Sequence, residues 1–196
     1  MRFPVIVLGA GGHARVLVDT LRFSKVNVLG AADPSSKIKG FPVPLVGTDE
    51  DLIKKYKPDE IYLVNGVAGT HVSPLRQEIY RRFKQEGFKF LSVAHPSAVI
   101  AEDVTLCEGT QVMAGAVIQA GTVIGENSII NTRASVDHDC RVGAHVHVAP
   151  GAILCGGVTV EDSCHIGAGA ILIQGARVQA RQFVKAGERI QGEFYR

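Results

Sequence analysis

A six-residue period runs through the second half of the chain and leaves few folds open to it. From Ala98 onward, the third residue of each hexad is aliphatic in sixteen consecutive hexads, without a slip in register. An α-helix would turn successive sixth residues to different faces, so this period is not helical. It predicts one short strand and one bend per hexad, with aliphatic side chains pointing into a prism, as in the hexapeptide repeats of parallel β-helices. At three sides per turn, the hexads make roughly five stacked coils around one continuous core. The aliphatic column comprises Ile100, Leu106, Val112, Ile118, Ile124, Ile130, Val136, Val142, Val148, Leu154, Val160, Ile166, Leu172, Val178, Val184 and Ile190.

The first part of the chain alternates between strand-like and helix-like segments. Apolar runs predict strands over 5–8, 26–32, 61–64 and 88–93. Helices are predicted over 14–21, from Thr48 onward, and in a segment that Ser73-Pro74 opens and Gly87 ends. This alternation is typical of a parallel sheet wrapped by helices. The sequence therefore predicts a small Rossmann-like α/β domain over 1–93, followed by a β-helix domain over 94–196.

A glycine-rich turn follows the first predicted strand. Gly9, Gly11 and Ala14 nearly match the dinucleotide-binding fingerprint, and Asp33 lies about twenty residues further on. Only one mononucleotide-binding half precedes the hexads, which favours a single nucleotide over NAD. The backbone N–H groups of the turn would bind phosphates, and Asp33 would accept a hydrogen bond from a ribose or a base. NAD binding and a purely structural turn remain alternatives.

Composition and spacing exclude several other classes of protein. The formal net charge of +2 is too small to indicate a nucleic-acid partner. The chain has no apolar run of ~18 residues and no signal-peptide pattern at its start, so we expect a cytoplasmic protein that does not span a membrane. The four cysteines show no C-x-x-C spacing. We therefore interpret them as small packed residues of a protein in a reducing compartment. The histidines lack acidic partners at suitable spacing, so no metal site is predicted.

Three stretches resemble one family of enzymes. They are the run GAGGHA from Gly9, the run HPSA from His95, and the run NTRASVDHDC from Asn131, which continues to HVAPG from His147. Together they resemble the sialic acid O-acetyltransferase and UDP-amino-sugar N-acetyltransferase family, the sugar O-acyltransferase group of bacterial surface-glycan pathways. The resemblance runs from about residue 4 to about residue 178. It implies a left-handed β-helix, a homotrimer with active sites between neighbouring β-helices, and acetyl-CoA lying along the subunit boundary.

The resemblance also implies roles for single residues. His138 would be the general base, and Asp139 its orienting or polarising neighbour. Asn131 would contact the sugar, while the N-terminal domain would hold the nucleotide of the sugar donor. The acetyl-CoA contacts would be His147, Gly156 (through its backbone N–H to the thioester oxygen) and Ala168, and the nucleotide contacts would be Gly11, Gly12, His13 and Asp33.

These residue types suit acetyl transfer from a thioester, which needs an uncharged amine or an activated hydroxyl as nucleophile. Imidazole titrates near neutral pH and can accept the proton, and a carboxylate beside it stabilises the imidazolium. A backbone N–H aimed at the developing oxyanion contributes about 3 kcal/mol. Cys140 lies two residues from His138, which leaves a Cys–His nucleophile open. His147 and His165 share the second place of their hexads, so we expect them to stack on one face.

The leading hypothesis is acetyl-CoA-dependent N-acetylation of a nucleotide-linked sugar of the 4-amino-4,6-dideoxy type in bacterial surface-glycan biosynthesis. O-acetylation of sialic acid or a related sugar is one alternative, and a non-catalytic sugar-nucleotide-binding subunit is another. The C-terminus departs from the family, because it lacks the extended Gly-x-Pro-Ala tail that helps hold the adenine end of CoA. Whether Arg177, Arg181, Lys185 and Arg189 contact CoA phosphates in its place or form a solvated edge stays open.

Overall fold

The chain divides into two structural units, which a computed structural model describes over residues 3–35, 38–69 and 74–195. The N-terminal unit comprises Met1–Ala68 and Leu75–Leu91, and the β-helix unit comprises Gly69–Pro74 and Ser92–Arg196. Within the described ranges, no helix has both the length and the apolar character needed to cross a membrane.

The N-terminal unit is a five-stranded parallel sheet with three helices. Its elements are β1 (Val5–Leu8), α1 (Gly12–Phe23), β2 (Val28–Ala32), β3 (Leu45–Gly47), α2 (Asp49–Lys55), β4 (Tyr62–Asn65), α3 (Leu75–Gln85) and β5 (Lys89–Phe90). The strand order is β3-β2-β1-β4-β5, which confirms the predicted Rossmann-like sheet.

The prediction missed β3, a half-buried edge strand of three residues without a continuous apolar run. The single strand predicted over 88–93 was wrong, because β5 ends at Phe90 and a separate strand begins the β-helix at Val93.

Two helix starts in this unit follow from local chemistry. Thr48 caps α2 by accepting from the backbone N–H of Asp51, whose carboxylate accepts from the backbone N–H of Thr48. By contrast, α1 begins at Gly12 after an extended Gly11 that supplies no side-chain cap. The first N–H groups of α1 therefore lack a capping side chain, which is the arrangement that favours anion binding.

The β-helix unit consists of two-residue strands in three parallel sheets. The strands are β6 (Val93–Ala94), β7 (Val99–Ile100), β8 (Thr105–Leu106), β9 (Gln111–Val112), β10 (Val117–Ile118), β11 (Val123–Ile124), β12 (Ile129–Ile130), β13 (Ser135–Val136), β14 (Arg141–Val142), β15 (His147–Val148), β16 (Ile153–Leu154), β17 (Thr159–Val160), β18 (His165–Ile166), β19 (Ile171–Leu172), β20 (Arg177–Val178), β21 (Phe183–Val184), β22 (Arg189–Ile190) and β23 (Glu193–Phe194). Sheet I is β22-β19-β16-β13-β10-β7, sheet II is β23-β20-β17-β14-β11-β8, and sheet III is β21-β18-β15-β12-β9-β6. Each coil thus contributes one strand to each sheet, which confirms the left-handed parallel β-helix of hexapeptide repeats.

The interior of this prism is built from two residues of each hexad. The predicted aliphatic column is buried over most of its length, and the first residue of most hexads is buried beside it. Polar members of that first column satisfy their hydrogen-bonding groups inside the core. The Oγ atoms of Thr122 and Ser128 donate to the carbonyls of Asp137 and Gly143, at 2.9 and 2.8 Å. The core therefore accepts small polar residues only where a neighbouring carbonyl pairs with them.

The corners of the prism use left-handed backbone. The sixth residue of every hexad from Gly109 to Gly187 has φ between 53° and 71°. We name the corners by the sheets they join in chain order: I–II, II–III and III–I. Glycine adopts this conformation without a Cβ penalty, and Asn and Asp tolerate it better than most residues. The non-glycine residues at these places are Asn127, Arg133, Asp139, His145, Ser163 and Arg181.

The last coil closes with a shorter turn. Arg177 pairs with Glu193, a step of two residues fewer than the eighteen that separate partners in the preceding coils. Gly192 makes this tighter turn with φ of 77°. Phe194 is thereby placed against the aliphatic column and covers the end of the core.

Truncating the core column should destabilise the β-helix. Leu154 is fully buried within the main apolar cluster, so Leu154→Ala is expected to lower the free energy of unfolding by about 2–5 kcal/mol. Chemical denaturation followed by circular dichroism measures the change. Thr159→Ala, on the outer face of the next strand, is the control and should change stability by less than about 0.5 kcal/mol. Equal effects of the two substitutions would contradict the assigned core.

Candidate active site

The corner after β13 presents a histidine–carboxylate pair. His138 and Asp139 occupy the fifth and sixth places of their hexad, and the left-handed φ of 59° at Asp139 turns its side chain back toward the ring. His138 Nδ1 lies 2.8 Å from Asp139 Oδ2, and both side chains are exposed. The hydrogen bond to Asp139 is the largest cause that raises the pKa of His138, and the charge of Asp137 raises it further. Because a carboxylate only accepts, Nδ1 carries the proton and Nε2 of the neutral ring is free to act as a base.

The ring of His138 lies over Gly156, which occupies the same place in the next coil. A Cβ on Gly156 would stand 2.6 Å from both Cε1 and Nε2 of His138. A side chain at Gly156 would therefore displace the ring, so this position must be glycine for the pair to keep its geometry. The predicted role of the Gly156 N–H toward a thioester oxygen remains a prediction.

Asn131 and His147 form a second polar group, at the III–I corner and on sheet III. Asn131 Nδ2 lies 2.9 Å from His147 Nε2, and Asn131 Oδ1 accepts from the backbone N–H of Thr132 at 2.7 Å. His147 Nδ1 lies 2.6 Å from the carbonyl oxygen of Gly69. A carbonyl accepts, so Nδ1 donates to it and Nε2 accepts from the Asn131 amide. The network thereby holds the ring of His147 and the orientation of the Asn131 amide.

His147 is also part of an aromatic stack. Its ring meets that of His165 edge to face at 4.8 Å between centroids, and His165 lies 5.4 Å from the ring of Phe183. The expected stacking of the two histidines is confirmed. Only 8% of His147 is exposed, so little of its ring is open to a ligand within one chain. Its predicted contact with acetyl-CoA stays a prediction.

The two polar groups lie at different corners of one chain. His138 follows β13 at the I–II corner, whereas Asn131 follows β12 at the III–I corner, where the exposed Ala168 lies two coils later. Sheet I separates the two corners, so the His138–Asp139 pair and the Asn131–His147 group lie apart in a single β-helix.

Cys140 does not supply a nucleophile. Its Sγ is buried and donates to the carbonyl of Cys155 at 3.2 Å, and burial raises the pKa of its thiol to about 11. Since the thiolate is the reactive form, the Cys–His alternative is not supported.

Within the described ranges, no three His, Cys, Asp or Glu side chains are grouped so that they could hold a metal ion.

The N-terminal unit contains a cavity of about 480 Å³ at the carboxyl ends of its strands. It is lined by Gly9, Ala32, Asp33, Pro34, Asp49, Val67, Leu75, Glu78, Ile79 and Arg82. Residues that follow β1, β2 and β4 meet here, at the point where the strand order reverses and ligands of open parallel sheets bind. The cavity combines apolar walls with carboxylates and one guanidinium.

Of the residues predicted to hold a nucleotide, Asp33 lines this cavity, while Gly11, Gly12 and His13 lie at the start of α1. Asp33 Oδ2 accepts from the backbone N–H of Ala10 at 2.8 Å, so the carboxylate also holds the glycine-rich turn. The wall formed by α2 and α3 was not predicted from the sequence. The acidic residues that begin α2 and the apolar face of α3 each follow a parallel strand. This position in the chain could have indicated that they line a binding cavity.

A buried arginine supports one wall of the cavity. Arg76 Nη1 donates to the carbonyls of Asn65 and Val67 at 2.8 and 2.6 Å, and the amide of Asn65 donates to the carbonyl of Arg76 at 2.9 Å. Burial lowers the pKa of Arg76 to about 9, which still leaves the side chain charged at neutral pH. These bonds hold the loop after β4, which carries Val67 into the cavity.

Both units match known protein families. Residues 4–83 match the PglD N-terminal domain, and residues 121–156 match the six-repeat bacterial transferase hexapeptide family. A GDP-perosamine N-acetyltransferase of Escherichia coli O157:H7 is 32% identical over 101 residues, which cover 52% of this chain and 46% of that enzyme. The chain thus spans less than half the length of this curated relative.

Two solved structures share the whole architecture. The acetyltransferase domain of PglB from Neisseria gonorrhoeae FA1090 is 31% identical, with a TM-score of 0.92 over 100% of this chain and 94% of that one. The same domain has also been solved with acetyl coenzyme A. PerB from Caulobacter crescentus, in complex with CoA and GDP-perosamine, is 37% identical, with a TM-score of 0.88 over 97% of this chain and 89% of that one.

Proposed function

Because the chain belongs to the family of hexapeptide-repeat, acetyl-CoA-dependent sugar acetyltransferases with a PglD-type N-terminal domain, we propose that it N-acetylates a nucleotide-linked amino sugar. The observation that carries the proposal is the exposed His138, whose Nδ1 is held by Asp139 at 2.8 Å and whose Nε2 is available as a base. We place the reaction in bacterial surface-glycan biosynthesis and in the cytoplasm. All four cysteines are free, as a reducing compartment favours.

The proposed reaction needs no covalent enzyme intermediate. His138 Nε2 takes a proton from the sugar amine as its nitrogen attacks the thioester carbonyl, and Asp139 stabilises the resulting imidazolium. The backbone N–H of Gly156 is proposed to stabilise the oxyanion. The C–S bond then breaks, the acetyl group stays on the sugar nitrogen, and the imidazolium returns its proton to the CoA thiolate.

The nucleotide of the acceptor sugar is proposed to bind in the N-terminal unit, which corresponds to the predicted domain 1–93. The cavity beside Gly9 and Asp33 and the uncapped start of α1 at Gly11 and Gly12 support this assignment. His13, in the first turn of α1, is proposed to contact the same nucleotide. A GDP-linked sugar is the first candidate, because similar enzymes act on or are solved with GDP-perosamine.

A homotrimer would bring the two polar groups together, so that each serves as one half-site of a shared active site. The outer column of sheet I is mostly apolar, and it exposes 62% of Val99 and 41% of Ile153. Exposed apolar surfaces of this kind mark interaction sites. If sheet I faces a three-fold axis, the I–II corner of one chain meets the III–I corner of the next. His138 and Asp139 of one subunit then face Asn131 of its neighbour, with His147 holding the Asn131 amide.

Beyond His138, the I–II and III–I corners carry small residues that leave room for the acetyl-CoA arm. Beyond His138, the I–II corner continues with Gly156 and Gly157, and the III–I corner presents Ala168 and Gly169. The II–III corner carries larger polar residues such as His145. The groove between I–II and III–I corners of neighbouring subunits is therefore the proposed acetyl-CoA site. Of the basic residues near the C-terminus, Arg177 is already paired with Glu161 at 2.6 Å.

Thiol release from acetyl-CoA tests the proposal directly. The acceptors are GDP-, UDP- and dTDP-linked 4-amino sugars, together with free sialic acid, and NMR of the product locates the acetyl group. We expect release with one amino sugar and a new amide on its nitrogen. Release with sialic acid alone would assign the chain to O-acetylation. Binding of nucleotide sugars without any release would instead identify a non-catalytic binding subunit.

The pH dependence of the reaction should report the His138–Asp139 hydrogen bond. Since this bond raises the pKa of His138, kcat should rise with pH through a midpoint above the ordinary histidine value, as the neutral base forms. Asp139→Asn is expected to move the midpoint to lower pH and to reduce the plateau by about tenfold or more. Asp137→Asn is the control and should shift the midpoint less, because Asp137 affects the ring through its charge, while its Oδ1 accepts from the backbone N–H of His138 at 2.8 Å. A larger shift for Asp137→Asn would contradict the assigned pair.

A further inference from the structure

The carboxylate of Asp139 leans across the corner onto Gly121 of the preceding coil. Gly121 occupies the same place in the I–II corner one coil earlier, with φ of 70°. A Cβ on Gly121 would stand 2.6 Å from Asp139 Oδ1, a separation that real side chains do not adopt. The other oxygen of this carboxylate, Oδ2, is the one that accepts from His138. Gly121 therefore leaves the space in which the carboxylate reaches the base.

Gly121 itself is held from two sides. Its backbone N–H donates to Asp103 Oδ2 at 3.0 Å, and its carbonyl accepts from Arg141 Nη1 at 2.7 Å. A shift of the Gly121 backbone away from Asp139 would strain these bonds. The Asp139 carboxylate is the exposed end of a side chain and can move at little cost. It is the group that would be displaced.

We infer that Gly121 is a positioning residue for the proposed reaction, because it acts through Asp139 on the orientation and basicity of His138. With the carboxylate displaced, the imidazole loses the partner that fixes its tautomer and stabilises its protonated form. His138 would still lie over Gly156, so the ring remains while its hydrogen bond is lost. The inference rests on the proposed function for its effect on turnover, but not for its effect on the ring.

The groups that face His138 are few. Asp137 and Asp139 belong to its own turn, and Gly156, preceded by Cys155, lies in the next coil. The preceding coil contributes Gly121, whose backbone partners are Asp103 and Arg141. A change in the titration of His138 on altering Gly121 would therefore report the displaced carboxylate.

Gly121→Ala is the test, and Gly175→Ala is its matched control. Gly175 occupies the same place in the I–II corner three coils later, and its φ is also 70°. A Cβ on Gly175 would meet nothing within 4 Å. Both substitutions therefore impose the same backbone strain, and only the one at Gly121 meets Asp139. The ring protons of His138, followed by NMR against pH, give its pKa in each variant.

We expect Gly121→Ala to lower the pKa of His138 toward the ordinary histidine value and Gly175→Ala to leave it unchanged. If the proposed function holds, Gly121→Ala also lowers kcat by about tenfold, no more than Asp139→Asn does, with little change in KM for the nucleotide sugar. In an Asp139→Ala background, Gly121→Ala should have no further effect on the His138 titration.

An unchanged pKa of His138 in Gly121→Ala would overturn the inference, and so would an equal shift in Gly175→Ala. A shift that persists in the Asp139→Ala background would overturn it as well, because it could not pass through the carboxylate. If the pKa shifts as expected but the native protein releases no thiol with any acceptor, the proposed function fails and the positioning role stands.

Discussion

Replacing His138 by alanine should reduce kcat for acetyl transfer by about 10²–10⁴-fold while both substrates still bind. The ring is exposed at the I–II corner and supports no core contact, so its loss should leave the β-helix intact. Gly156 lies beneath the ring and would remain in place to meet the thioester oxygen. Steady-state kinetics with the accepted amino sugar measures the loss, and calorimetry measures the binding of acetyl-CoA and nucleotide sugar.

His145→Asn is the matched control for this substitution. His145 occupies a left-handed position at the II–III corner, one side of the coil away from His138, and its Nδ1 lies 3.0 Å from Asn127 Nδ2. Asparagine tolerates that backbone, so activity should stay near the native level. Native turnover by His138→Ala would show that another group takes the proton, and loss of binding in that variant would assign His138 a substrate-holding role instead.

Ile153→Lys should dissociate the proposed trimer and abolish activity. Ile153 lies in the apolar outer column of sheet I, where a lysine would place an unpaired charge in the subunit interface. The separated chains would retain His138 at one corner and Asn131 at another, with no neighbour to complete either half-site. Sedimentation velocity should show a monomer, and kcat/KM should fall by about 10²-fold or more.

Thr159→Lys provides the comparison on a different face. Thr159 lies in the outer column of sheet II, between Arg141 and Arg177, where a further lysine should meet solvent. This variant should remain trimeric and active. A trimeric Ile153→Lys protein would contradict the interface assigned to sheet I, and a monomeric protein with full activity would contradict the shared site.

The sequence predicted the β-helix well because one chemical rule repeats in it. An aliphatic residue at the third place of every hexad needs a buried interior. Val136 and Leu154, for example, pair one coil apart, as the period requires. The second buried column was harder to see, because Thr122 and Cys140 are polar types whose burial depends on a carbonyl fifteen residues away. Short edge strands such as β3 carry too few residues for any pattern.

For the candidate site, the sequence indicates which residues to consider but not most of the contacts among them. His138 and Asp139 are adjacent in sequence, so their pairing needed only the local turn. The bond between His147 and Gly69 joins residues 78 positions apart, and no periodicity predicts it. The space that Gly121 leaves for Asp139 depends on which way one side chain leans, and that direction is set only once the coils are stacked.

The stacking of coils also acts as a ruler for the proposed chemistry. His138 and Gly156 occupy equivalent places in successive coils, so the proton acceptor and the proposed oxyanion donor are separated by the spacing of parallel strands, about 4.8 Å. Backbone hydrogen bonds between coils fix that interval, whichever side chains are present. Whole coils inserted after Gly157 would therefore lengthen the groove for the acyl donor without altering the distance between the two reacting positions. A scaffold of this kind can evolve longer or shorter donor sites while its reactive geometry stays constant.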